Sequence, residues 1–164
     1  MTPSSMCSAQ KGLLRLFDEP DRDDRTWAIL VAYSVSMAEA TLAGAKGDLV
    51  AVTRNFALAD DGPTLWDHDE IVQAAVLSLK ERYEFRYRYW DIPPDPDGFL
   101  PEPFTLHQLR RVHEAVVGKE MHKDNFGRRM KPHLSPITRG GEVVRSEATR
   151  GRPATLYRRV TNRS

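Results

Sequence analysis

The sequence is poor in cysteine and in long apolar runs. Cys7 is the single cysteine among 164 residues, so no internal disulfide can form, and one thiol cannot by itself anchor a zinc site. No apolar run approaches the ~18 residues of a membrane span. The opening residues, MTPSSMCSAQKG, lack the basic start and apolar core of a secretory signal. These absences predict a cytoplasmic protein that does not enter a membrane.

The histidines do not follow a metal-binding pattern. His107 and His113 lie six residues apart, whereas a spacing of four places two ligands on one helix face. His122 and His133 are not accompanied by a carboxylate pair or a cysteine. No serine or cysteine nucleophile arrangement can be read in the sequence either. The sequence therefore predicts neither a metal site nor a cofactor.

The net charge of +1 conceals an uneven distribution. Residues 1–98 hold 10 Lys and Arg against 17 Asp and Glu, a net charge of −7. Residues 99–164 hold 14 against 6, a net charge of +8. Eleven of those 14 cations are arginine, whose planar fork suits phosphate. The asymmetry predicts two units, the second facing a polyanion; the alternative is that the two halves neutralise each other across an interface.

The acidic half contains strand and helix patterns. The first ~25 residues are polar and end in FDEPDRDDR, which predicts a solvated loop. Residues 26–38 and 49–58 are apolar and rich in aromatic and β-branched residues, so we predict an antiparallel pair of strands. Residues 67–85 carry an apolar stripe at helical spacing behind a capping box of Asp67 and Glu70. Residues 87–103, with five prolines, predict an extended linker packed by its aromatic residues.

The basic half predicts two helices joined by a tight turn. Thr105 and Gln108 form a capping box, and Gly118 has the position of a helix stop, so the first helix is predicted over 106–117. The second is predicted over 122–131. Its core residues would be Met121, Phe126 and Met130, and Pro132 would end it. Three or four residues remain between the helices, which is typical of a helix-turn-helix.

The last segments read as strands around a basic loop. LSPIT, GEVVRSEA and ATLYRRV are short, partly apolar pieces that follow the second helix. Residues 150–153, Arg-Gly-Arg-Pro, match the core of a minor-groove hook, but such hooks lie in disordered sequence. Leu156, Tyr157 and Val160 supply apolar surface that favours a packed strand over residues 154–160. We therefore predict a winged helix with residues 150–153 at the tip of the wing.

These residues also carry a family resemblance. FTLHQLRRVHEAVVGKEMHKDNFGRRM followed by GRPATLYRRV resembles the winged-helix domain of the Nudix-related transcriptional regulators over about 60 residues. Upstream, FDEPDRDDRTWAILVAYSV and WDHDEIVQAAVLSLKERY resemble the back half of the Nudix domain in such proteins. The resemblance implies a regulator of NAD or sugar metabolism genes that binds double-stranded DNA as a homodimer and senses an ADP-ribose-type ligand.

The sequence lacks the segment that would make a Nudix domain an enzyme. Nudix hydrolases need a Gly-x5-Glu-x7-Arg-Glu-U-x-Glu-Glu-x-Gly-U box, with U aliphatic, whose glutamates hold magnesium ions. This pattern is absent from the 164 residues. Either the protein has lost the front half of the domain, or the chain start is truncated. The alternative function is accordingly a Nudix-type hydrolase of nucleoside diphosphate derivatives, such as ADP-ribose, whose catalytic segment is missing from this chain.

The combined prediction is an α+β protein. Antiparallel strands and a helix form a partial Nudix-like domain over residues 1–95, without catalytic residues, and a winged helix-turn-helix domain follows over residues 99–164. The predicted function is DNA-binding transcriptional regulation, with a catalytically inactive remnant of the sensor. Arginine would contact guanine edges, asparagine would contact adenine, and lysine would contact phosphate. The predicted DNA-binding residues are Lys123, Asn125, Arg128, Arg129, Lys131, Arg139, Arg150, Arg152 and Arg158.

Overall fold

The computed structural model describes residues 10–18, 26, 29–37, 68–84, 93–147 and 153–160. The chain divides into two compact units, Met1–Arg82 and Tyr83–Ser164. Within the described ranges, no helix combines the length and the apolar character needed to cross a membrane. The predicted domain bounds, 1–95 and 99–164, remain predictions.

In its described residues, the first unit contains a two-stranded antiparallel sheet and a helix. Strand β1, Gln10–Phe17, pairs with β2, Leu30–Ser36, from Gln10 opposite Ser36 to Phe17 opposite Leu30. The register shifts between Leu13 and Arg15. Phe17 and Ala32 are buried, and the Arg15 guanidinium lies 5.1 Å from the centroid of the Phe17 ring.

Strand β1 corrects the expectation of a polar, loop-like start. Its sequence, QKGLLRLF, starts with two polar residues and Gly12 and places Arg15 among the apolar residues, which hides the strand pattern. The predicted strand over residues 26–38 is observed as the shorter β2, and its predicted partner over residues 49–58 lies outside the described residues. The sheet therefore forms with an upstream strand that the sequence pattern did not indicate.

Helix α1, His68–Tyr83, confirms the helix predicted over residues 67–85, although only Tyr83 is fully buried on it and Asp67 of the expected capping box lies outside the described residues. Asp69 and Glu70 stand in its first turn and Lys80 and Arg82 in its last, an arrangement that complements the helix dipole. The Arg82 guanidinium donates to the Ser36 hydroxyl at 2.9 Å, which ties the helix to β2 within the first unit.

The second unit has a winged-helix arrangement. Strand β3, Phe104–Thr105, leads into α2, Leu106–Val117; helix α3, Lys123–Met130, follows after residues 118–122. Lys131–His133 forms a 3₁₀ turn that continues into β4, Leu134–Pro136. Strands β5, Thr138–Arg139, β6, Glu142–Val143, and β7, Leu156–Arg159, complete the unit. The predicted helices are confirmed, with five residues between them rather than three or four.

The wing is built from paired strands. Strands β3, β7 and β4 form one antiparallel sheet with β7 in the centre. The hairpin of β5 and β6 turns at Gly140 and Gly141, whose φ angles of 61° and 86° lie in the left-handed region that tight two-residue turns require. The wing continues through a bridge between Arg145 and Thr155. The expected tip residues Arg150, Gly151 and Arg152 lie outside the described residues.

One apolar cluster holds the helices and the sheet of the second unit together. Its buried members come from β3, α2, α3 and β4, and partly buried residues from the flanking segments pack against them. Phe126 and Met130 point into it as predicted, and Met121 packs at its edge. The buried members are Phe104, Leu109, Phe126, Met130 and Leu134. Because one face of α3 is anchored in this cluster, its opposite face is left at the surface.

The predicted extended linker is wrong for residues 93–103. Asp95 and Asp97 are buried there, Gly98 adopts a φ of 68°, and the Gly98 N–H donates to the Asp95 carbonyl at 3.2 Å. The proline-rich composition suggested an extended spacer. The buried carboxylate of Asp95 instead folds this segment into the second unit.

Candidate nucleic-acid interface

Helix α2 is defined at both ends by its own sequence. The Thr105 hydroxyl accepts from the Gln108 N–H at 3.2 Å, and the Gln108 side chain accepts from the Thr105 N–H at 2.8 Å. This confirms the capping box. At the other end, Gly118 has a φ of 75°, and its N–H donates to the Glu114 carbonyl at 2.9 Å. The helix therefore begins and ends where the local sequence dictates.

Helix α3 presents a polar face to solvent. Lys123, Asn125, Arg128 and Arg129 are exposed, while Phe126 and Met130 face the core. The Arg128 guanidinium donates to the Asn125 side-chain oxygen at 3.0 Å. Two residues predicted to contact bases therefore lie one helical turn apart and already orient each other.

The remaining predicted contacts lie after α3 and on the wing. Lys131 is exposed, but it belongs to the 3₁₀ turn rather than to the α-helix that the sequence predicted. Arg139, beside the Gly140–Gly141 turn, and Arg158, on β7, are exposed. Arg150 and Arg152 lie outside the described residues. The described members of the predicted set therefore lie on α3, just after it, and on the wing strands.

A groove of 760 Å³ runs between the start of α2 and one side of α3. Leu106 and Phe126 contribute apolar surface to it, and Lys123 and Arg128 contribute charge. Gly127 also lines the groove, and a β-carbon added there would meet nothing within 4 Å. The space beside α3 is therefore open on the side that faces α2.

Arg159 was not among the predicted site residues, but its side chain connects the two ends of the second unit. Its guanidinium donates to the Asp95 carboxylate, to the Leu100 carbonyl at 2.7 Å and to the Glu102 carboxylate at 3.1 Å. It also lies 5.2 Å from the centroid of the Phe104 ring. Arg159 thereby holds strand β7 against residues 95–102. The side chain of its neighbour Arg158 is exposed to solvent.

Asp95 is the buried acceptor of this network. Its carboxylate accepts from the Tyr83 hydroxyl at 2.9 Å, from the Phe99 N–H at 3.1 Å and from the Leu100 N–H at 2.9 Å. Burial, reinforced by Asp95, raises the pKa of the Tyr83 phenol above its usual value. Tyr83 therefore stays protonated and remains a donor.

His113 is a second buried polar residue that the sequence analysis did not assign. It lies edge-on to the rings of Tyr83 and Phe126, with centroids 4.9 and 5.1 Å away. Its Nε2 lies 2.7 Å from the Pro94 carbonyl oxygen, which can only accept, so Nε2 carries the proton. Burial lowers the pKa of His113 despite the hydrogen bond to Pro94, and the ring is neutral at neutral pH. Within the described ranges, no three histidine, cysteine or carboxylate side chains group to hold a metal ion.

Helices α2 and α3, the short turn between them and the paired strands that follow define a winged helix-turn-helix. Residues 98–159 match the family model of the NrtR DNA-binding winged helix domain. The predicted resemblance to the Nudix-related transcriptional regulators is confirmed.

Individual relatives agree with the family match. The ADPR responsive transcriptional repressor NtrR of Acinetobacter baylyi is 32% identical over 95 residues, which cover 57% of this chain and 33% of that protein. The crystal structure of Shewanella oneidensis NrtR complexed with a 27mer DNA has 25% identity and a TM-score of 0.65. The match covers 92% of this chain and 64% of that chain.

A third comparison concerns the fold alone. A MutT/nudix family protein from Enterococcus faecalis has 20% identity and a TM-score of 0.56, over 92% of this chain and 62% of its own. Together these matches confirm the predicted α+β fold with a Nudix-like part and a winged helix. The chain spans about a third of the curated relative and less than two thirds of the solved structures.

Proposed function

We propose that the chain is a DNA-binding transcriptional regulator whose winged helix reads double-stranded DNA. The observation that carries this proposal is the solvent-facing side of α3, where Arg128 and Asn125 are exposed and hydrogen-bonded to each other at 3.0 Å. The similarity to a repressor and to a regulator solved with a 27mer DNA supports it.

In the proposed complex, α3 enters the major groove. Arginine can bond both acceptors of a guanine edge, and asparagine can bond adenine in the same way. Lys123, Lys131 and the wing residues Arg139 and Arg158 contact the flanking phosphates, which position the protein without reading sequence. Arg129 belongs to the same basic face, and Arg150 and Arg152 complete the predicted set at the wing.

We also propose that the protein acts as a homodimer in the cytoplasm, because one winged helix of this size reads only a short half-site. The first unit is proposed as a remnant of a sensor without hydrolytic activity. ADP-ribose is the candidate effector, since a relative is described as ADPR responsive. Sedimentation of the free protein and of its DNA complex, with and without ADP-ribose, tests both the dimer and the effector.

Alanine substitution of Arg128 and Arg129 tests the DNA-reading role. A duplex is first selected by the purified protein from a randomised library, and a scrambled duplex of equal length serves as the reference. Loss of base contacts should cost about 1–3 kcal/mol for each contact on the selected duplex and much less on the scrambled one. Arg15→Ala, which removes a cation from the first unit, is the control. An unchanged preference in the double variant would reject α3 as the reading helix.

A further inference from the structure

The start of α3 is not fixed in the way that the start of α2 is. Within this part of the structure, the α3 N-cap position, His122, makes no side-chain capping hydrogen bond, whereas α2 has a full capping box. An uncapped helix start leaves backbone donors without an internal partner and can fray. The position of α3 therefore has to be held by contacts from outside the helix.

Two side chains of α2 supply such contacts to the residue just before the cap. The Glu114 carboxylate accepts from the Met121 N–H at 3.0 Å, and the Arg110 guanidinium donates to the Met121 carbonyl at 2.9 Å. Arg110 and Glu114 also pair with each other at 3.1 Å. The peptide groups on both sides of Met121 are thus bonded to a pair of residues one helical turn apart on α2.

The same glutamate also contacts the other end of the turn. Its backbone carbonyl accepts from the Gly118 N–H at 2.9 Å, at the point where α2 ends. Its side chain is only 8% exposed, so the carboxylate is shielded from water, which strengthens hydrogen bonds to charged groups. The turn is therefore bonded to Glu114 at Gly118 through the backbone and at Met121 through the side chain.

We propose that Glu114 and Arg110 are positioning residues for DNA reading: together they hold the backbone of Met121 and so fix where α3 begins relative to α2. The inference rests on the proposed DNA-binding function of α3. Neither residue needs to touch DNA. A small rotation of α3 would move Asn125 and Arg128 away from the base edges while the basic surface kept its charge.

The chain offers a matched control for this inference. Arg111 pairs with the other carboxylate oxygen of Glu114 at 3.3 Å, but its side chain is 68% exposed, against 23% for Arg110. Among the contacts described for the two arginines, only that of Arg110 reaches Met121. Arg110→Ala and Arg111→Ala remove the same charge from the same helix. Because Arg110 also lines the groove beside α3 and Glu114 does not, a loss of preference shared by Arg110→Ala and Glu114→Ala, but not by Arg111→Ala, reports the contacts to Met121.

The first measurement needs no DNA. Hydrogen exchange of the Met121 amide in the full chain should accelerate in Glu114→Ala and stay slow in Arg111→Ala. Glu114→Gln keeps a side-chain oxygen that can accept from Met121, so its exchange should lie nearer the wild type. Wild-type-like protection in Glu114→Ala would overturn the inference.

The second measurement compares affinities for the selected and the scrambled duplex. Arg110→Ala should lower the ratio of the two affinities about tenfold, the scale of one hydrogen bond to a charged group. Arg111→Ala should weaken both duplexes alike and leave the ratio unchanged. Glu114→Gln should recover part of the ratio lost in Glu114→Ala. Equal ratios for Arg110→Ala and Arg111→Ala would overturn the positioning role.

The two proposals fail in different ways. A wild type that prefers no duplex contradicts the proposed function, and the positioning role falls with it even if the Met121 amide is protected. A wild type that prefers its selected duplex, with Arg110→Ala retaining that preference, contradicts only the positioning role. Circular dichroism of each variant verifies folding, and Arg110→Ala keeps the test valid if Glu114→Ala does not fold.

Discussion

At the scale of single residues, the second unit combines exposed cations with buried polar groups whose partners lie far away along the chain. Lys123, Arg128 and Arg139 are recognisable from charge alone, because a cation on a polar face remains at the surface. Asp95 and His113 look like ordinary loop and helix residues in the sequence. Their burial depends on partners distant along the chain, such as Arg159, 64 positions from Asp95. Periodicity cannot reveal pairs of that kind.

His113 should make the stability of the second unit depend on pH. Burial lowers its pKa in the folded state, so below about pH 6.5 the unfolded chain binds a proton that the folded chain does not. The free energy of unfolding should therefore decrease as the pH falls from about 7.5 to 5. Asp95, which accepts a hydrogen bond from the protonated Tyr83, acts in the opposite direction and raises the pKa of His113, but the effect of burial is larger.

Urea unfolding, followed by amide NMR signals of the second unit, measures this dependence. His113→Phe removes the titrating ring and the hydrogen bond to Pro94, so it should be less stable at pH 7.5, with a smaller further loss at pH 5. His107→Gln, an exposed position on the same helix, is the control and should keep the wild-type pH dependence. A parallel pH profile for wild type and His113→Phe would contradict the prediction.

Glu114 should also contribute to stability in a pH-dependent way. The hydrogen bond from the Met121 N–H, with Arg110 and Arg111 nearby, lowers the pKa of the Glu114 carboxyl. Because the pKa of Glu114 is lower in the folded state, its ionised carboxylate stabilises the fold above about pH 4.3. This stabilisation is lost as the pH falls through the folded-state pKa of Glu114. The stability difference between wild type and Glu114→Gln should shrink on acidification below about pH 4, as measured by urea unfolding at each pH.

At the scale of elements, local signals predicted most of what is observed. Helix α2 follows from Thr105, Gln108 and Gly118, because caps act within a few residues of the helix end. Strand β1 was missed because its first three residues are not apolar and Arg15 breaks the apolar pattern of the rest, whereas pairing with β2 determines its conformation. The segment before β3 was predicted to be an extended linker because proline-rich turns have the same sequence pattern whether they are exposed or buried.

Replacement by alanine is expected to change the stability in opposite directions at Gly118 and at Gly127. An added β-carbon meets nothing within 4 Å at Gly118 or at Gly127, so only backbone conformation should matter. Gly118→Ala should destabilise by roughly 1–2 kcal/mol, because its φ of 75° is left-handed. Gly127→Ala lies in the α3 interior and should stabilise by up to ~1 kcal/mol. Thermal unfolding of the two variants tests this pair; the same sign for both would contradict it.

At the scale of the whole molecule, the separation of charge should govern DNA binding. The net charge of +8 in residues 99–164 predicts affinity for any duplex that falls steeply with salt, since each neutralised phosphate releases counterions. Arg139→Ala should lower the slope of log affinity against log salt by about 1 and leave sequence preference intact. Arg128→Ala should alter the preference itself. Binding that ignores salt between about 50 and 200 mM would contradict this assignment.

The ion pair between Asp95 and Arg159 has a practical consequence for experiments that excise the winged helix or transfer it to another protein. The match to the family model starts at residue 98, but Asp95, the buried acceptor of Arg159, lies upstream of that point, and the Tyr83 phenol donates to the same carboxylate. A fragment that starts at residue 98 would keep the pair between Arg159 and Glu102 but would lose the buried carboxylate of Asp95. A graft that begins at Tyr83 includes Tyr83, Asp95 and Arg159 together and keeps the hydrogen bonds among them.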